Sequence, residues 1–113
     1  MKIIAAPITV GELTSMAEAG FGDMVKAVVD VERGIMAVDG ELHSDEEALL
    51  LENGSEQGHL WGVNLYPALA RADLIEFDSM INIRPSQGNR SRGIDDPGIR
   101  GRVIRVVETL VLP

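Results

Sequence analysis

The chain reads as an α+β domain in which an antiparallel four-stranded sheet is combined with three helices, in the order α-β-β-α-β-β-α. Three observations predict this class: segments whose apolar residues alternate, segments whose apolar residues recur at helical spacing, and Gly, Pro or Asn at most of the joints between them. With helices covering one face of such a sheet, the polar face is left open or used.

The first helix is expected over residues 10–19. Thr9 and Glu12 have the spacing of a capping box, Val10, Leu13, Met16 and Ala17 form an apolar stripe, and Gly20 stands at the C-terminal cap. Between Met24 and Glu32 the period becomes two, with Val25, Ala27, Val29 and Val31 on one side and Lys26, Asp30 and Glu32 on the other. Arg33-Gly34 supplies a two-residue turn and Ile35 to Val38 a return strand, a register that sets Val31 opposite Met36 and Val29 opposite Val38.

Ser44 and Glu47 repeat the capping-box spacing, and Asp45, Glu46 and Glu47 suit the positive end of a helix dipole. The second helix is therefore expected over about 45–52, ended by Asn53-Gly54. Reading Asn53-Gly54 as a hairpin turn instead leaves Ser55-Glu56-Gln57-Gly58, a poor partner strand. His59 to Tyr66 alternates with Trp61, Val63 and Leu65 on one side and stops at Pro67. Leu74 to Arg84 is the clearest strand pattern, with Ile75, Phe77, Ser79, Ile81 and Ile83 on one face and Glu76, Asp78, Asn82 and Arg84 on the other; Pro85 ends it. Asp96 caps the last helix, Pro97 takes its first position, and Ile99, Val103, Val106, Val107, Leu110 and Val111 give it an apolar stripe.

At 113 residues and 45% apolar content the chain is the length of one domain, 1–113. The absence of cysteine excludes disulfides, thiolate catalysis and Cys-ligated metal, and fits a cytoplasmic protein; no cofactor is indicated. The apolar start is broken by Pro7, too early for a secretory leader, and no apolar run approaches the ~20 residues of a membrane span. A net charge of -8 and only four scattered aromatic residues disfavour nucleic acid.

Charge is distributed unevenly. Residues 1–79 carry 15 acidic and 4 basic side chains, whereas residues 80–113 carry 3 acidic side chains and 6 arginines. Three of those arginines fall within Arg84-Pro85-Ser86-Gln87-Gly88-Asn89-Arg90-Ser91-Arg92-Gly93. Guanidinium is a planar five-donor fork that matches carboxylate and phosphate. The leading expectation is thus a binding or regulatory domain in which Asn82, Arg84, Gln87, Asn89, Arg90 and Arg92 hold an anionic group on a small molecule or an acidic partner protein. The competing reading has the same arginines paired with acids of the chain. A second expectation is a metal-assisted hydrolase with Glu41, His43 and Asp45, joined by His59 or Asp78, around a divalent ion; its alternative is a surface imidazole beside a carboxylate. Glu76 and Asp78 form a carboxylate pair two apart, or else a solvated strand face. A third expectation is a homodimer using the open sheet face or a strand edge.

Long strings carry a resemblance over nearly the whole chain: Phe21-Gly22-Asp23-Met24-Val25-Lys26-Ala27-Val28-Val29-Asp30, Gly40-Glu41-Leu42-His43-Ser44-Asp45-Glu46-Glu47-Ala48-Leu49-Leu50-Leu51, Gly54-Ser55, Leu60-Trp61-Gly62-Val63-Asn64-Leu65-Tyr66-Pro67 and Ile81-Asn82-Ile83-Arg84-Pro85-Ser86-Gln87-Gly88-Asn89-Arg90-Ser91. On these it resembles a small uncharacterised prokaryotic family, a domain of unknown function of about this length. The resemblance implies no activity, cofactor or catalytic residue. Ser44 stands where similar sequences are expected to have alanine.

Overall fold

Alternating segments pair into one sheet whose centre is buried on both sides. The computed structural model describes residues 1–113. In chain order its elements are β1 (Lys2–Ile4), β2 (Ile8–Thr9), α1 (Val10–Ala19), β3 (Val25–Asp30), β4 (Ile35–Val38), α2 (His43–Glu52), β5 (Leu60–Leu65), β6 (Ile75–Glu76), α3 (Pro97–Leu110) and β7 (Val111–Leu112). The sheet is five-stranded and antiparallel, in the order β1-β4-β3-β5-β6, and β2 pairs in parallel with β7. The α+β class and the three helices stand as expected, but the expected count of four strands is corrected. β1, β2 and β7 are only two or three residues long, too short for a period to register.

α1 and α3 cover one face, where Leu13, Val103 and Val107 pack on Val29, Trp61 and Val63. The other face is not left open. α2 lies on it, with Leu50 packed against Val28, Ala37 and Leu60. These three strand residues fall on the side that alternation marks as polar, because a central strand buried on both faces needs apolar residues in both phases.

The hairpin register also differs from expectation. Asp30 Oδ1 accepts from the amides of Glu32 and Arg33, both at 2.9 Å, and Gly34, at φ 68°, donates to the Asp30 carbonyl at 3.0 Å. This side-chain turn widens the loop to residues 31–34, so Val29 faces Met36 and Ala27 faces Val38. A slip of two residues keeps every side chain on its face. Asp30 itself is buried, and its Oδ2 accepts from Ser55 Oγ at 2.7 Å.

The longest expected strand, Leu74 to Arg84, is cut to β6. Ser79 Oγ accepts from the Ile81 amide and starts a 3-10 turn over Met80–Asn82. Asn82 then accepts from Gly62 N at 2.8 Å and donates to Gly62 O at 2.9 Å, so an amide side chain takes the place of a backbone neighbour along β5. Only glycine fits there, because a Cβ on Gly62 would lie 2.6 Å from the Ser79 side chain. Helix α2 begins at His43 rather than near residue 45, with Leu42 at its N-cap and no side-chain cap bond. The Ser44–Glu47 box does not form. The loop before the helix is pinned instead by Gly40 N donating to buried Glu46 Oε2 at 3.0 Å.

Candidate functional site

Of the six loop and strand residues expected to grip an anion, only Arg92 lines a cleft. The polar groups of Asn82 are spent on Gly62 and on the Arg92 carbonyl. Asn89 is 4% exposed; its amide donates to the carbonyls of Asn82, Ser91 and Gly93 and accepts from Asp95 N. Arg84 is buried over the Trp61 ring at 4.9 Å, where it donates to the Leu60 carbonyl and to Glu47 Oε2 at 3.3 Å. Gln87 reaches the Gly58 carbonyl at 3.2 Å. Arg90 is exposed, and its backbone amide, not its guanidinium, meets Asp95. The loop is built as an internal brace.

The metal expectation is corrected by geometry. Glu41, His43 and Asp45 do not converge, and no three His, Asp or Glu side chains cluster as ligands would. Because α2 starts at His43, the three residues leave the extended geometry that would align them, and Asp45 opens onto a different cleft from His43. His59 pairs with Glu56 at 3.5 Å.

The sheet register assembles a different site. Lys26 of β3 is paired with Asn64 of β5, and Asn64 is paired with Glu76 of β6. Cation, amide and carboxylate therefore stand in one row across three strands, spaced by about 4.8 Å per strand. All three lie on the face that α2 shares, just beyond the start of that helix, where a cleft of about 560 Å³ opens. Leu42, His43 and Ser44 form one wall, and Asp78 and Arg92, paired at 2.6 Å, stand at another.

Within the cleft, Tyr66 Oη donates to Glu76 Oε1 at 3.1 Å and Asn64 Nδ2 donates to the same oxygen at 2.8 Å. Asn64 is 7% exposed, and its Oδ1 has no hydrogen-bond partner. His43 Nε2 lies 2.8 Å from the Val63 carbonyl; a carbonyl only accepts, so this nitrogen carries the proton. Burial lowers the His43 pKa, against the raising effect of that carbonyl, which favours a neutral ring with its lone pair on Nδ1. The amides of His43 and Ser44 open an uncapped helix, a place where negative charge is favoured. The arrangement supplies donors on the helix side and acceptors at the sheet edge. The sequence pointed to Arg92 as an anion-binding residue and to His43, Glu76 and Asp78 in other roles, but not to Lys26, Asn64 and Tyr66. Their only signal is cross-strand pairing, which a single strand does not display.

No helix is long and apolar enough to cross a membrane. No curated protein and no solved structure matches the chain. A family model does, over residues 2–110, and the chain accordingly belongs to the family described as Protein of unknown function (DUF5674).

Proposed function

We propose that this is a binding domain for a small zwitterionic molecule held in the cleft at the start of α2. The observation that carries the reading is the transverse row Lys26, Asn64, Glu76, which sets a cation and a carboxylate on either side of a neutral amide along one cleft. An anionic group fits between Lys26 and the free amides of His43 and Ser44, with Arg92 at the rim. An ammonium group fits the opposite side, against the exposed Glu76 carboxylate. A molecule with one charge leaves half of the row unmatched. The arginine loop enters this reading through Arg92 alone, while Asn82, Arg84, Gln87 and Asn89 hold the sheet edge in shape.

Calorimetric titration with free α-amino acids, each compared with the matched carboxylic acid and the matched amine, tests the proposal. The amino acids are expected to bind and the single-charge analogues to bind at least about tenfold more weakly, as loss of a charge-assisted hydrogen bond of ~1.5–3 kcal/mol implies. Lys26→Met and Glu76→Gln are each expected to weaken the amino acid similarly while the circular dichroism spectrum stays native. Equal binding of acid, amine and zwitterion, or unchanged affinity in both variants, would remove this cleft from the account. Light scattering on the same samples measures self-association.

A further inference from the structure

A second cleft, of about 500 Å³, adjoins the first and shares Met24, Lys26 and Leu42 with it. Met16, Ala19, Phe21 and Val25 add apolar surface to it beside the shared Met24 and Leu42. Two of its large apolar side chains stand unusually open, Phe21 at 48% and Leu42 at 54% exposed. The Lys26 ammonium lies 5.1 Å from the centre of the Phe21 ring, over one wall of this second chamber, while Lys26 also lines the first, so the lysine stands at the boundary between the two. Asp39 and Glu41 line the second chamber as well, and they oppose a second anionic group there. One chamber thus matches a charged head, and its neighbour matches an uncharged, apolar extension of the same molecule.

We infer that the ligand is amphiphilic, a zwitterionic head bearing an apolar tail that crosses Lys26 and lies between Phe21, Met24 and Leu42. This rests on the head-group site proposed above. Adjacency of the two chambers, which share Met24, Lys26 and Leu42 as lining, is what commits the groove to the tail of that ligand rather than to a separate partner. Hydrophobic transfer then adds to the affinity with each methylene that passes the lysine, while the head sets orientation.

A homologous series with one head and a growing tail tests the inference: alanine, norvaline, norleucine, 2-aminooctanoate and 2-aminodecanoate, titrated into the full chain. Affinity is expected to rise by up to about fourfold per added methylene, as burial of ~0.8 kcal/mol per CH₂ requires, and to level off when the groove is full. In Phe21→Ala, whose parent side chain is half exposed, the slope of affinity against chain length should fall; as a ratio within one variant, it cancels any change at the head. An affinity independent of chain length in the native protein, or a slope unaltered by Phe21→Ala, overturns the tail while leaving the head-group site standing. Failure of every member of the series to bind overturns both. A 2-aminooctanoate titration in Lys26→Met separates the remaining case: undiminished binding there places the tail somewhere other than beyond this head site and sinks the inference.

Discussion

Glu46 is fully buried under α2, where Gly40 N donates to one carboxyl oxygen and the other has no partner. Desolvation pushes its pKa from an ordinary 4.5 up to about 9, so the folded protein holds a proton that the unfolded chain releases. Stability is then greatest below the unfolded value and is lost as pH rises through the window up to about 9, since folding takes up a proton there. Glu46→Gln keeps an acceptor for Gly40 and removes the titration. Relative to the native protein, the variant should gain stability as pH rises, reaching an advantage of at least about 2 kcal/mol at about pH 8 in urea unfolding. A difference that stays constant across pH would refute a buried neutral carboxyl. Gly40 completes the arrangement, since a Cβ there would lie 2.7 Å from Glu46 Cγ. Nothing in the run Asp45-Glu46-Glu47 marks its middle member as the buried one; α2 turns Glu46 inward and Asp45 out.

Helix α2 shows how an element can sit two residues from its strongest local signal. Ser44 has the spacing for a cap, yet the helix starts earlier because Gly40 and Glu46 fix the approach of the chain, leaving Leu42 as an N-cap with no acceptor. Leu42→Ser is expected to raise stability by about 1 kcal/mol, read as a higher urea midpoint with unchanged slope, because a hydroxyl then accepts from an unpaired amide. The same hydroxyl competes with the proposed anionic group, so amino-acid affinity should fall as stability rises. The expected strand Leu74 to Arg84 teaches the converse. Its alternation is real, and Ile75 and Glu76 do pair with Leu65 and Asn64, but beyond them Ser79 and Asn82 satisfy backbone groups with side chains and lift the chain off the sheet. Short polar side chains that bond to backbone compete with a ladder, and period alone does not reveal the outcome.

At the scale of the whole molecule, 18 acids face 10 bases, and only four ion pairs form, one of them with a histidine. Uncompensated like charge dominates the surface, so raising NaCl from about 0.05 M to about 0.5 M should raise the melting temperature by a few degrees through screening of repulsion, although it weakens the exposed pairs. A fall in melting temperature would mean that the ion pairs outweigh the repulsion. The buried pair Arg84–Glu47 stands apart, enclosed by Trp61 and α2 and screened little by salt.

Local chemistry was enough to determine the α+β class, the three helices, the span of α1, the cap of α3 by Asp96 and the apolar face of each central strand, because capping, turn residues and period act between near neighbours. Tertiary structure alone decided the rest. It placed α2 on the second face of the sheet, turned the arginine loop into a brace, parted Glu41, His43 and Asp45, and set Lys26, Asn64 and Glu76 side by side. The row depends on which strands pair and in what register, contacts between residues up to 40 apart, as in Val25 with Leu65, that no local pattern encodes.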